Sequence, residues 1–347
     1  MAKKKAKKTS VLKKLAVPAL LVLAVVGFFS WNYLSDNKIP NVVRDADLYV
    51  RPGASVESVL ASLDSCVLRP GSVKRCFGRH EVATYMKPGH YSVKKGQTSV
   101  YLARMLNNGW QTPVKLKIPS VRMLGSLARS ISNQMMVDSA TVHNAVTDPA
   151  LLSKYGFTPA TVYALFMPDT YEVFWTESVE ELLDRQKKAY DAFWTEERLA
   201  KARKLGLSKM EVSVLASIVK GESNKPDDYR KIAGVYLNRI RKGMRLQADP
   251  TVAFLSGYTK KRILLSDLRT DSPYNTYIYT GLPPGPISVP DKTYLEAALD
   301  PDTKDGYLFF CADPAFNGYH VFARTFEEHK RNARAYQKAL SDRLASK

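Results

Sequence analysis

The stretch Leu207-Ser208-Lys209-Met210-Glu211-Val212-Ser213-Val214-Leu215-Ala216-Ser217-Ile218-Val219-Lys220-Gly221-Glu222 carries the clearest local signal in the chain. Ser208 and Glu211 have capping-box spacing, and Leu207 with Val212 has the spacing of a hydrophobic staple. Val212, Leu215, Ile218 and Val219 fall on one helical face. The helix is expected to stop near Gly221. A second helix fits residues 227–242, with Ile232, Val235, Tyr236 and Ile240 inward and Gly243 at its end. Farther on, residues 288–299 read as a turn and a short helix. Residues 307–312 read as a buried strand with His320-Val321-Phe322-Ala323 as its hairpin partner, and residues 325–347 as a basic helix. Upstream, residues 180–205 carry one long amphipathic pattern, and residues 141–157 are helical and polar. Helices with short, scattered strands predict an α+β fold.

Nearer the N-terminus the pattern changes. Residues 49–63 read as a short strand, a Pro52-Gly53 turn, a capping Ser55 and a short helix. A similar unit covers residues 89–106, and a third begins at Val114-Lys115-Leu116-Lys117-Ile118-Pro119 and continues through 124–131. Three such units suggest a small repeated α+β module over 46–130. In shape and spacing it resembles glycan-binding LysM-like modules; a spacer domain fits the same pattern.

The first 14 residues hold seven lysines and no acid. No charge falls between Lys14 and Asp36, a run long enough to cross a bilayer as a helix. Trp31 and Tyr33 close it with interfacial aromatic rings, and the lysines predict a cytoplasmic tail over 1–14 with a transmembrane helix over 15–34. A cleaved signal peptide would begin the same way, but Phe28-Phe29-Ser30-Trp31-Asn32-Tyr33-Leu34 lacks a small-x-small cleavage site. Residues 36–45 read as a linker, and everything beyond should lie outside the cytoplasm. The net charge of +19 alone would permit nucleic-acid binding; this topology removes the chain from that compartment. Cys66 and Cys76 are close enough in sequence to pair in an oxidising compartment. Cys311 reads as a buried small residue.

No Gly-x-Ser-x-Gly, His-Glu-x-x-His or phosphate-binding loop occurs, and the five histidines lack ligand spacing. No metal or cofactor is therefore expected. Glu222 follows an apolar helix, at the negative end of its dipole and among apolar neighbours; both effects favour a protonated carboxyl. That is the state a general acid for a glycosidic oxygen needs. Gly221 would leave room for a bulky substrate. On position alone, a solvated helix-end residue or an ion-pair partner of Arg239 or Arg245 is the commoner case.

The blocks Phe166-Met167-Pro168-Asp169-Thr170-Tyr171, Ala216–Glu222, Ala233-Gly234-Val235-Tyr236-Leu237-Asn238-Arg239 and Gly243-Met244-Arg245-Leu246-Gln247-Ala248-Asp249-Pro250 continue in order with Ser272-Pro273-Tyr274-Asn275-Thr276-Tyr277, residues 281–287 and His320-Val321-Phe322. Together they resemble the YceG-like family of endolytic peptidoglycan transglycosylases (the MltG type). The resemblance implies a membrane anchor, a LysM-like region and a catalytic domain over 140–347. It implies cleavage of the bond between N-acetylmuramic acid and N-acetylglucosamine in peptidoglycan, with 1,6-anhydro ends and termination of new strands beside wall synthesis enzymes. It assigns the acid/base role to Glu222. The family often carries an acid where this chain has Lys220, which would leave the chain inactive if that acid were essential. Lys220 would also lower the pKa of Glu222.

Asn238, Arg239, Arg245, Gln247, Asp249 and Asp169 are candidate sugar or peptide binders. Tyr274, Asn275, Tyr277 and Tyr279 could contact sugar faces or pack a Pro-rich loop. Asp249 is either a second acid for a water-using muramidase or a helix N-cap before Pro250. A non-catalytic wall-binding scaffold is the remaining alternative.

Overall fold

The computed structural model describes residues 2–260 and 262–345. By contacts the chain forms two units: residues up to 114 with 172–176, and residues 115–171 with 177 onward.

The first unit begins with helix α1 (Ala2–Asn37), whose segment Ala16–Asn37 is apolar and long enough to cross a membrane. At 1.5 Å per residue it spans roughly 33 Å. β1 (Ala46–Val50) is followed by α2 (Val56–Leu63), α3 (Pro70–Arg79) and the single turn α4 (Val82–Tyr85). β2 (Gly89–Val93) pairs antiparallel with β1, Ala46 opposite Val93 and Val50 opposite Gly89. α5 (Ser99–Asn108) completes the layer over this two-stranded sheet. Leu48, Val50, Phe77, Tyr91, Val93, Leu102 and Leu106 form the core.

The expected linker over 36–45 is not a free tether. The apolar helix α1 runs on to Asn37, and Asp36 is 1% exposed. Its carboxylate accepts from Ser72 Oγ at 2.6 Å, from Arg75 at 2.7 Å and from Arg79. Asn41, also buried, donates to Ser99 Oγ at 2.8 Å and accepts from Arg69 N. A buried carboxylate is tolerated because two guanidinium groups and a hydroxyl satisfy it. Cys66 and Cys76 are buried free thiols rather than a pair. Cys66 Sγ donates to Leu63 O and Cys76 Sγ to Asp36 O.

The third strand–helix segment, β3 (Val114–Ile118) and α6 (Leu124–Ser132), does not join the first two in one module. β3 pairs with β4 (Asp169–Val173), far along the chain, and residues 115–171 belong to the second unit. A strand takes its place from its hydrogen-bonding partner, not from its likeness to its neighbours in sequence.

Short helices α7 (Ser139–Ala145) and α8 (Pro149–Ser153) follow α6. The pattern over 180–205 resolves into two helices, α9 (Val179–Phe193) and α10 (Glu196–Leu205). Thr195 starts the second by accepting from Arg198 N, which breaks an otherwise continuous apolar stripe. The centre of the unit is α11 (Lys209–Glu222), with the capping box between Ser208 and Glu211 in place. Eight consecutive residues, Val212–Val219, are buried. The helix is thus wrapped on all sides, not on one face as its pattern suggested. α12 (Pro226–Arg241), α13 (Asp249–Leu255) and α14 (Lys292–Leu299) pack around it. Ser217, buried in mid-helix, donates to Val214 O and accepts from Ile287 N, pinning an incoming loop.

β5 (Phe309–Ala312) and β6 (His320–Ala323) form an antiparallel hairpin with Phe310 opposite Phe322. The strand is half-buried, and so is Cys311; both had been read as fully buried. Helix α15 (Phe326–Ala345) packs on this hairpin.

α12 runs so close to the 302 loop that a Cβ on Gly234 would lie 1.9 Å from Asp302 O. Backbone on that side cannot swing away as a side chain can. Gly234→Ala is therefore expected to cost about 1–3 kcal/mol of stability, read as a lower denaturant midpoint for the full chain.

Candidate active site

Glu222 is the last residue of α11, and Ser223 is its C-cap. Its position follows from the helix: a buried rod ends where the chain reaches the surface, and the final side chain faces the opening. The cavity there has a volume of about 310 Å³ and is lined by Glu222, Tyr236, Arg239, Gln247, Asp249 and Tyr277, with Leu246, Phe310 and His329.

Tyr236, from α12, donates its hydroxyl to Glu222 Oε1 at 2.5 Å. Burial pushes the Glu222 carboxyl up to about 7. The Tyr236 hydrogen bond and Arg239 pull the other way, and Asp249 adds to the rise. Desolvation wins because removing a carboxylate from water costs more than one neutral hydrogen bond returns.

Gly221 has a different reason from the one expected. A Cβ there would lie 2.4 Å from Pro250 Cβ. The glycine admits the start of α13, not substrate. Asp249 is the first residue of α13, with Ala248 at the N-cap position, so it is not the cap foreseen as one option. Its Oδ1 accepts from Tyr277 Oη at 2.5 Å. Gln247 sits in the left-handed region at φ 50°. Its N–H donates to Thr276 O, and Ala248 N donates to Thr276 Oγ1. Thr276 thereby holds a strained turn that presents Gln247 to the cavity.

Arg239 lines the cavity, but its donors serve the scaffold: Nε to Leu308 O at 2.7 Å and Nη1 to Leu246 O at 2.6 Å. It ties the loop before α13 to the entrance of β5. The other expected residues lie outside the cavity lining. Asn238 donates to Tyr307 O. Arg245 is exposed. Asn275, fully buried, donates to Leu268 O and Thr270 O and accepts from Tyr277 N, and so shapes the loop that carries Tyr277. Tyr274 packs on Phe254 and donates to Ala160 O. Asp169 pairs with Lys292 at 2.7 Å. Tyr279 donates to Asp271 at 2.7 Å.

Lys220 does not act on Glu222. Its ammonium donates to Val289 O at 2.8 Å, a carbonyl that also accepts from Ser120 Oγ. Burial brings its pKa down to about 8 against the opposing pull of Asp291. The position is a tie between α11 and the 289 segment.

A second hollow of about 470 Å³ also includes Glu222 in its lining, together with Lys225, Asp313, Phe316, Tyr319, His320 and Tyr336 among others. His320 Nδ1 bonds the buried Asp228 at 2.9 Å, and its ring meets Phe310 edge-on. Besides the apolar Leu246, the cavity residues not singled out from sequence are Tyr236, Phe310 and His329. Tyr236 read as one more inward position on a helix face, and the other two lie about 90 and 110 residues beyond Glu222; no local spacing connects them.

The description of the YceG-like family matches residues 48–335. The endolytic murein transglycosylase of Bacillus subtilis (strain 168) is 27% identical over 314 residues, 84% of this chain and 84% of that protein. The endolytic murein transglycosylase of Streptococcus pneumoniae serotype 2 (strain D39) is 26% identical over 348 residues, 90% of this chain and 63% of that one. The crystal structure of a YceG-like protein from Listeria monocytogenes is 28% identical, with a TM-score of 0.56, covering 83% of this chain and 98% of that one. With the greater part of its length matched, from the first β-strand to the last helix, the chain belongs to the YceG-like family.

Proposed function

We propose that the chain is an endolytic murein transglycosylase in which Glu222 is both acid and base. The observation that carries this reading is the Glu222 carboxyl in an open cavity at the end of a buried helix, held near a pKa of about 7. Near neutral pH such a group is partly protonated and can give or take a proton. Protonated Glu222 donates to the glycosidic oxygen as the C1–O bond of the muramic residue breaks. The resulting carboxylate takes the proton of the muramic 6-hydroxyl as that oxygen bonds to C1. One proton has moved from O6 to the leaving oxygen, a 1,6-anhydro end has formed, and no water is consumed. Tyr236 returns a hydrogen bond to the carboxylate form between the two steps.

A muramidase reading draws on Asp249, which lines the same cavity and is steadied by Tyr277. Such an enzyme would use the second carboxylate to handle water or the sugar cation. The non-catalytic scaffold drew on Lys220, and that side chain is engaged with Val289 instead.

The apolar helix and its lysines support a single-pass anchor with the N-terminus in the cytoplasm and the second unit outside. The first unit is a LysM-like module that helps hold glycan. Placed so, the enzyme cuts strands beside the wall synthesis enzymes that make them.

Digestion of purified peptidoglycan followed by mass spectrometry of the ends tests the chemistry. Anhydro ends are expected; reducing ends would establish the muramidase, and an absence of new ends the scaffold. Glu222→Gln is expected to lower the rate by about 10²–10⁴-fold, and a variant as fast as the parent removes Glu222 from the role.

The donor must be protonated, so kcat/KM should fall as pH rises through about 7. Tyr236→Phe removes a hydrogen bond that favours the charged form. The limb should then move to higher pH in a pH–rate profile.

Folding stability gives an independent check. A carboxyl whose pKa is raised on folding binds more protons folded than unfolded, so its contribution falls as pH rises from about 4.5 to about 7. Glu222→Gln is expected to gain stability relative to the parent at pH 8 and to lose that advantage at pH 4, by denaturant titration.

A further inference from the structure

The two hollows at Glu222 share more than that residue. His329 lines the first and Tyr336 the second, and both belong to α15. Seven residues is about two helical turns, so the two side chains lie on one face, roughly 10.5 Å apart along the axis. The C-terminal helix therefore runs past Glu222 and offers one side chain to each hollow.

The chemistry at each place points to a neutral, hydroxyl-rich ligand. His329 stacks on Phe309 at 5.4 Å, and its buried Nδ1 has no hydrogen-bond partner in the protein. Orphaned buried nitrogens are uncommon; here the partly exposed ring lines the cavity, and a ring flip would turn that nitrogen toward a ligand. Burial and nearby Arg239 hold this imidazole below its usual pKa, which favours the neutral ring that can accept as well as donate. In the second hollow, Tyr336 lies 5.5 Å from Phe316. The charges there are already engaged. Lys225 sits over the Tyr319 ring at 4.9 Å, and Asp313 accepts from Ala315 N and Asn317. Lys225 covers one face of Tyr319 and Arg343 one face of Phe316; the ring surface left between them, with Tyr336, suits the C–H face of a sugar ring.

We infer that α15 is the wall along which the glycan strand lies, with His329 and Tyr336 contacting sugar residues on opposite sides of the bond that Glu222 cleaves. This rests on the transglycosylase reading, and it assigns strand binding to a helix that its sequence marks only as basic. An enzyme cutting within a strand must hold sugars on both sides of the bond, and α15 supplies one contact to each.

The test measures binding apart from cutting. Full-length Glu222→Gln protein in detergent is titrated calorimetrically with a long, peptide-free glycan strand and with a tetrasaccharide. Adding His329→Gln or Tyr336→Ala should weaken the long strand by about tenfold each, the order expected for one hydrogen bond or one ring contact. A tetrasaccharide is long enough to span the roughly 10.5 Å between the two side chains, so it should lose affinity with both variants as the long strand does. Tyr336→Phe retains the ring and should bind as the parent does. Equal loss in Tyr336→Phe, or parent-like affinity in both His329→Gln and Tyr336→Ala, overturns the inference while the cutting activity of the parent stands. A parent that neither cuts nor binds glycan overturns the reading of the site itself, and the inference with it.

Discussion

At the end of α11 two helices come closer than side chains normally allow. Gly221 has no Cβ, and Pro250 occupies the space one would fill. That contact brings the first turn of α13 against the last turn of α11, and with it Asp249 into the cavity that Glu222 lines. The turn before α13 is then forced into a left-handed residue at Gln247, fastened by Thr276. Arg239 closes the arrangement from the other side by binding the 246 and 308 carbonyls. Asp249 and Gln247 are thus placed by backbone constraints outside their own side chains.

The electrostatic state of Glu222 is a balance in which burial outweighs the effects that oppose it. Burial and Asp249 resist ionisation; Tyr236 and Arg239 permit it. A carboxyl with burial alone would hold its proton too firmly to serve as a base. One with a full ion pair would lose it too readily to serve as an acid. Arg239 is kept from forming such a pair because backbone carbonyls occupy its donors. Its guanidinium exerts a field on the cavity without neutralising the acid.

Local rules were readable wherever the cause was local. The capping box at Ser208 and Glu211, the end of α12 before Gly243 and the hairpin at 309–323 follow from nearest neighbours. Glu222 was legible because a helix end, an apolar run and an ordered set of motifs coincide there. The failures share a different cause. Asn238, Asn275 and Tyr274 belong to the same motifs as the cavity residues, yet their side chains hold loops; a motif records that a residue matters and not which way it points. Tyr236 and His329 reach the cavity from other elements, through packing that no spacing in the chain encodes. Asp36 was misread because an acid after an apolar run suggests solvent, and the two arginines that bury it lie about 40 residues away.

Asp36 has a mechanical consequence. A helix joined to a folded body through flexible residues is a leash: the body turns as it pleases. Here the last turn of α1 is part of the core, with the Asp36 carboxylate shared among Ser72, Arg75 and Arg79 and Asn41 stitched to Ser99 and Arg69 just beyond it. The helix and the first unit behave as one lever. Any tilt imposed on the helix is passed through these bonds to the folded body that follows it, and a thrust on that body is felt by the helix in return.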